Sequence, residues 1–177
     1  MEKARLASIL RKAYSSELAA ALAYAGHWRS LPPGEERSTI QRIEHEELLH
    51  RLELGKMLEE IGEPPSALRE IGFRIVGKTI AFLCHVSGWF IPMYGAGRLE
   101  AGNIREYEDA ARRARAAGYE HLVMPLVRMS EVEAEHERYF REKVSSHWLR
   151  RIVPLWRAPR ETKDRLNVAR RTVTILE

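Results

Sequence analysis

The segment IQRIEHEELLHRLELGKMLEEI, residues 40–61, places two polar side chains inside an apolar helical pattern. Its apolar residues recur at steps of three and four, the period of one face of an α-helix packed in a bundle. Glu47 and His50 fall on the same face as Ile43 and Leu54, where a bundle normally has an aliphatic residue. Because burying a charged group costs several kcal/mol, this placement requires a physical explanation.

Three further segments show the same combination of an apolar stripe and polar interruptions. The acids and imidazole on these stripes are Glu17, Glu100, Glu133 and His136. Four amphipathic helices predict an all-α protein, an antiparallel four-helix bundle. The three stripes are Leu10, Tyr14, Glu17, Ala21, Tyr24 and Trp28; Met93, Ala96, Glu100, Asn103, Tyr107, Ala110 and Ala114; and Leu122, Leu126, Met129, Glu133, His136 and Phe140.

Prolines and glycines between the stripes set the expected helix ends. Pro125 lies in the first two turns of the last helix and predicts a kink or a later start. Residues 66–90 are expected to form a long connector between the second and third helices. The predicted helices run over residues 2–29, from residue 35 or 38 to 61, over 92–117 and over 119–147.

Composition bounds the class of protein. A chain of 177 residues with 45% hydrophobic and 31% charged residues is typical of one globular domain that buries a core. We divide it into a bundle domain over residues 1–147 and a basic extension, rich in tryptophan and arginine, over 148–177. We expect the short basic C-terminal extension to pack on or beside the bundle. Residues 160–177 could form an exposed helix ending in a β-prone run.

Charge and cysteine content narrow the expected setting and partners. The single cysteine, Cys84, excludes an intramolecular disulfide and a four-cysteine metal centre within the chain. We therefore expect a cytoplasmic protein, with peripheral attachment to the inner face of the membrane as an additional option. The chain has a net charge of +4, and its last part, residues 148–171, is rich in arginine and carries two tryptophans. This uneven distribution of charge favours an anionic partner, such as lipid headgroups or nucleic acid.

The polar positions occur twice along the chain. In each half, a glutamate is followed seven residues later by a tyrosine, and the next bundle helix carries Glu-x-x-His. This repeat predicts two helical hairpins related by an approximate two-fold axis. The matched sets are Glu17, Tyr24, Glu47 and His50 in the first half, and Glu100, Tyr107, Glu133 and His136 in the second.

Carboxylates and imidazoles in this pattern are typical of metal sites. Residues i and i+3 of a helix lie about 5–6 Å apart at Cβ, so Glu-x-x-His offers an oxygen and a nitrogen side by side. Two such pairs and two further glutamates form the ligand set of di-iron and di-manganese bundles. Without a thiolate, the set suits iron or manganese. We predict two iron ions, or manganese instead, bound by Glu17, Glu47, His50, Glu100, Glu133 and His136.

Several nearby polar residues have two interpretations. Tyr24 and Tyr107 either hydrogen-bond ligand carboxylates or fill the core with their hydroxyls satisfied elsewhere. Asn103 either positions a ligand imidazole or is an ordinary buried amide. Glu44, Glu106 and Glu108 are either alternative ligands, if a predicted helix is rotated about its axis, or ordinary acids on an exposed face.

The connector contains a long uncharged run, TIAFLCHVSGWFIPMYGAG, within residues 79–99. Its length approaches that of a membrane span, but glycines and a proline interrupt it. One interpretation is a buried crossover that leads into the third helix. The other is an apolar surface that contacts a bilayer or admits a hydrophobic substrate. Tryptophan and arginine in residues 148–156 suit either membrane contact or packing on the bundle.

The motifs resemble those of the ferritin-like di-iron superfamily over about residues 10–145. ARRARAAGYE, residues 111–120, followed by EAEHE, residues 133–137, is similar to the second half of the rubrerythrin bundle. The Glu-then-Tyr spacing with Glu-x-x-His resembles the demethoxyubiquinone hydroxylases. The resemblance implies a ferritin-like bundle around a di-iron centre. The chain departs from rubrerythrins in lacking a cysteine-rich rubredoxin domain, and Glu106 is the nearest match to their additional glutamate.

The resemblance also implies an activity. We expect an oxidoreductase that activates dioxygen or peroxide with electrons from an external donor, of the monooxygenase or of the oxidase and peroxidase type. The apolar connector favours hydroxylation of a hydrophobic, quinone-like substrate. The alternatives are a ferroxidase or iron-binding ferritin-like protein, and a di-iron hydroxylase that modifies transfer RNA, although nucleic acid is the least favoured partner. We expect a homodimer.

Overall fold

The computed structural model describes residues 1–159, and no strand occurs among them. The prediction of an all-α protein is confirmed over this described part of the chain. Residues 160–177, for which an exposed helix and a β-prone run were considered, lie outside the described residues. The described elements are α1 (Glu2–Ser30), α2 (Glu35–Glu60), α3 (Ala67–Val86), α4 (Phe90–Ala116), α5 (Glu120–Ser145) and a short 3-10 helix (Trp148–Arg151).

Four of the α-helices follow the predicted bounds closely, because glycine and proline residues mark their ends in the sequence. Gly62 and Gly118 follow α2 and α4 with φ values of 70° and 83°, the left-handed conformation that ends many helices. The Tyr119 N–H closes the end of α4 by donating to the Ala114 carbonyl at 2.9 Å. Pro125 lies inside α5, which begins at Glu120, so this proline does not delay the helix start.

The predicted connector is itself a helix, α3, and its surface is unusual. The Ser66 side chain caps it by accepting from the Arg69 N–H at 3.5 Å, and Gly88 separates it from α4 with φ 75°. Cys84 is buried, but Phe82 is 67% exposed. The interpretation as a buried crossover is therefore wrong for the α3 part of residues 79–99, whereas Phe90 and Met93 at the start of α4 are buried. None of the described helices is long and apolar enough to span a bilayer.

The chain divides into two compact units. The N-terminal unit is Ala7–Pro92, which contains most of α1 together with α2 and α3. The C-terminal unit joins Met1–Leu6 to the chain from Met93 on and contains α5 and nearly all of α4. The division of the chain into a bundle over residues 1–147 and an extension stays a prediction.

In the N-terminal unit, small residues let α3 lie very close to α1. A Cβ at Gly77 would stand 2.7 Å from the Ala19 carbonyl oxygen, and a Cβ at Gly26 would overlap Ala81. Arg51 of α2 adds a polar link, because its guanidinium contacts the Glu70 carboxylate. The glycines thus fix the side of α3 that faces α1.

In the C-terminal unit, the segment after α5 folds back against α4 and α5. The Trp156 ring occupies the space that a Cβ at Gly97 would need. Its indole N–H donates to the Glu137 carboxylate at 2.6 Å, and Tyr94 donates to the Pro154 carbonyl at 2.9 Å. Trp156 is accordingly buried, with 9% of its surface exposed.

Two glycines of α3 provide a matched test of this close packing. Gly72→Ala should raise the free energy of unfolding by about 0.5–1 kcal/mol, since its Cβ would meet open space and alanine favours the helix. Gly77→Ala should lower it by about 1–2 kcal/mol, because the Ala19 backbone must move. Urea unfolding followed by circular dichroism measures both, and a stabilising Gly77→Ala would contradict the packing.

Candidate metal centre

The N-terminal unit brings together three of the six predicted ligands, which we call the first triad: Glu17, Glu47 and His50. Glu17 lies on α1, whereas Glu47 and His50 lie one turn apart on α2. Each offers one ligand atom, and these atoms lie within 4.8 Å of one another. All three side chains are buried, and Glu47 has no exposed surface at all. The spacing and burial suit a metal ion.

The C-terminal unit brings together the other three, the second triad: Glu100, Glu133 and His136. Glu100 lies on α4, and Glu133 and His136 lie one turn apart on α5. Their ligand atoms also lie within 4.8 Å of one another, and all three side chains are buried. His136 Nδ1 is 3.8 Å from Glu133 Oε2. Each unit therefore contains one carboxylate from one helix and a Glu-x-x-His pair from another.

The helical period explains why these groups converge. On α2, Ile43 and Leu54 lie one turn before and after the pair and are fully buried. On α5, Met129 and Phe140 take the equivalent places and are also buried. Since apolar neighbours on both sides fix the helix face, the polar residues between them turn inward too.

Asn103 connects two carboxylates of the second triad. Its amide nitrogen donates to Glu100 Oε2 at 2.9 Å and lies 3.5 Å from Glu133 Oε2. These hydrogen bonds go to carboxylates, whereas one of the two interpretations of Asn103 from sequence has an imidazole as its partner. A donor at this point holds the two oxygen atoms in a defined orientation.

The remaining candidates lie outside the triads. Tyr24 on α1 and Tyr107 on α4 are buried, with 4% and 1% of their surface exposed. Glu44 accepts a hydrogen bond from Trp28 Nε1 at 2.5 Å, which occupies one of its oxygen atoms. Glu106 is half-buried on α4. Among the described residues, the groups with metal-like spacing are built only from the six predicted ligands.

Glu137, a buried acid directly after His136, is not among the candidates from sequence. Its Oε1 accepts from Arg141 Nε at 2.8 Å and from Trp156 Nε1 at 2.6 Å. The arginine at i+4 was a visible signal. The contact with Trp156 was not, because it depends on the fold of the segment after α5. Glu137 shows how this chain satisfies a buried carboxylate with protein donors alone.

The triads differ electrostatically from Glu137, whose carboxylate accepts from a positively charged arginine. Two ionised carboxylates within 4.8 Å repel each other by about 3–4 kcal/mol at an effective dielectric constant of about 20. Burial removes the water that would reduce this repulsion. A histidine elsewhere in the N-terminal unit, His27, shows the effect of burial on an imidazole: desolvation lowers its pKa from 6.5 to about 4, despite the opposing effect of Glu36.

The donor set fits one divalent cation per triad. Each triad offers two carboxylates and one imidazole, so two negative charges would meet two positive charges. Oxygen and nitrogen donors without sulfur suit iron or manganese, and the only cysteine, Cys84, is not in either triad. The burial of all six groups is explained if cations neutralise them.

Comparison of the chain with protein-family models, with curated proteins and with solved structures finds no match. The functional conclusion therefore rests on the residues of the chain itself.

Proposed function

We propose that the protein binds two iron ions, with manganese as the alternative, through Glu17, Glu47, His50, Glu100, Glu133 and His136. The observation that supports this most strongly is that both units contain the same buried set of two carboxylates and one imidazole. A structural role for one such set would be unremarkable. Two copies at corresponding positions of an internal repeat favour a metal centre.

We further propose that α1, α2, α4 and α5 form a ferritin-like antiparallel four-helix bundle with α3 in its long connection. In that arrangement the two triads would share their ions, and four carboxylates would balance two divalent cations. The repeat of Glu and Glu-x-x-His along the chain supports this arrangement, because a two-fold axis would give both ions equivalent ligands.

With iron bound, such a centre supplies two-electron reduction of dioxygen or peroxide, and we propose that the protein is an oxidoreductase of this type. A hydrophobic, quinone-like substrate and an external electron donor are the proposed partners. The residues of the chain have more limited tasks. Aliphatic neighbours such as Ile43 and Leu54 exclude water from the first triad, and Asn103 orients two carboxylates of the second.

Removing a ligand should reduce metal content without unfolding the chain. Protein purified without oxygen and loaded with ferrous iron should contain two ions per chain, as measured by mass spectrometry of the metal. We expect Glu47→Ala and His136→Ala each to lose at least one of them. The matched controls Glu53→Ala and His45→Ala change exposed residues of α2 and should keep both ions. If both ligand variants retain two ions, the assignment is wrong.

In the metal-free protein, neutralising a triad carboxylate and neutralising an ordinary buried carboxylate should change the unfolding free energy in opposite directions. Glu47→Gln keeps the side-chain shape and removes one repelling charge, so we expect it to raise the unfolding free energy by about 1–3 kcal/mol. Glu137→Gln should lower it, because Arg141 and Trp156 lose a charged acceptor. Urea unfolding with a chelator present compares the two.

If instead Glu47→Gln destabilises the chelated protein as much as Glu137→Gln does, Glu47 has a structural role. In the iron-loaded protein we expect Glu47→Gln to lower the unfolding free energy instead of raising it, because the amide is a weaker ligand than the carboxylate. That reversal depends on the metal and is absent for Glu137.

Oxygen consumption separates the proposed activity from iron handling. With a chemical reductant and a short-chain quinone analogue, a hydroxylase consumes oxygen in proportion to the analogue and converts it to a hydroxylated product. A ferroxidase consumes oxygen in proportion to added ferrous iron alone. We expect the first result for the native chain and neither for His136→Ala. Consumption that follows iron and ignores every analogue would overturn the hydroxylase proposal.

A further inference from the structure

The helix α3 turns a row of large apolar side chains outward. We call this row the outer stripe, and its members are between 46% and 81% exposed. Their spacing follows the helical period, so they lie on one side of α3. The outer stripe consists of Leu68, Ile71, Ile75, Phe82, Leu83 and Val86.

The opposite side of α3 is fixed against α1. Gly77 lies so close to Ala19 that any Cβ at this position would meet the Ala19 backbone. One turn further along, Ala81 takes the space beside Gly26. Since both contacts depend on the absence of a side chain, α3 cannot rotate to bury the outer stripe against α1. The exposure of the stripe is thus built into the packing.

Basic residues flank the outer stripe. Arg74 and Lys78 border it on one side and Arg69 on the other, and all three are exposed. The one acid of α3, Glu70, is ion-paired with Arg51 of α2. The exposed charges that α3 itself carries beside the stripe are therefore positive.

We propose that the outer stripe docks on the surface of an anionic lipid bilayer, with α3 parallel to the membrane plane. A helix with an apolar row between cations is suited to this position, because the apolar side chains enter the acyl boundary while arginine and lysine reach lipid phosphates. Each cation near an anionic membrane contributes attraction. The inference concerns α3 alone and does not depend on the metal centre.

A second copy of the chain is a poorer occupant. In a two-fold dimer through the outer stripe, Arg69, Arg74 and Lys78 of one copy would approach the same cations of the other. Such a contact places like charges together around an apolar centre, which is unfavourable. A bilayer with anionic headgroups instead offers the complementary charge.

Sedimentation of the full chain with lipid vesicles tests the proposal. We expect strong binding to phosphatidylcholine vesicles that contain about one third phosphatidylglycerol, and much weaker binding to phosphatidylcholine alone. Raising the salt concentration should weaken binding to the anionic vesicles, because it screens exposed charges. These comparisons use the native chain, so they do not depend on how any variant folds.

Substitution of the stripe tests its apolar contribution. Ile71→Ser with Phe82→Ser should weaken binding to the anionic vesicles about 100-fold, since two apolar side chains that would enter the membrane are lost. Leu48→Ser with Leu52→Ser is the matched control, because these two side chains of α2 are exposed to a similar degree and lie outside the stripe. We expect the control to bind as the native chain does.

Charge reversal tests the cations. Arg74→Glu with Lys78→Glu should weaken binding about thirtyfold or more, on the basis of the contribution per cation at an anionic surface. Lys56→Glu with Arg128→Glu changes the net charge by the same amount at exposed sites outside α3 and should have a much smaller effect. Far-UV circular dichroism checks that all variants keep their helix content.

Three results would overturn the proposal. The first is equal binding to neutral and anionic vesicles, and the second is equal loss of binding in the α2 control. The third is self-association of the native chain that Ile71→Ser with Phe82→Ser abolishes, without measurable vesicle binding, which would identify a second copy as the occupant.

Discussion

The burial of carboxylates beside one another is the constraint on which the described structure depends. Glu17 and Glu47 in one unit, and Glu100 and Glu133 in the other, offer ligand atoms within 4.8 Å while excluded from water. An aliphatic residue at any of these positions would be easier to accommodate. Where the chain needs a buried carboxylate for packing, as at Glu137, it provides an arginine and an indole. The triads instead combine carboxylates with imidazoles, which favours a cation as their common partner.

The two triads share a plan but are not chemically equivalent. Asn103 donates to carboxylates of the second triad from the position one turn after Glu100. The corresponding position one turn after Glu17 is Ala20, which offers no donor. An amide that already holds two oxygen atoms reduces the ordering required when an ion binds. The second triad therefore has an amide donor at a position where the first triad has only a methyl group.

The burial and convergence of the candidate ligands were predictable from sequence, and other features were not. Glu47, His50, Glu133 and His136 fall on apolar stripes whose period alone directs them inward, and proline and glycine define the helix ends around them. The contact between Glu137 and Trp156 joins positions 19 residues apart and depends on the course of the chain after α5. The orientation of α3 in the connector was harder to predict, because an apolar composition does not show which side of a helix faces the protein.

The orientation of α3 follows from a detail of α1 rather than from hydrophobicity. Ala19 contacts Gly77 of α3, and Glu17, two residues earlier, belongs to the first triad. Side chains two residues apart point to nearly opposite sides of an α-helix. Within the N-terminal unit, α1 thus presents one side to α3 and the other to the triad, so a single helix about 10 Å thick separates them. Because the outer stripe lies on the side of α3 that faces away from α1, a bilayer resting on the stripe would be separated from the first triad by both α3 and α1.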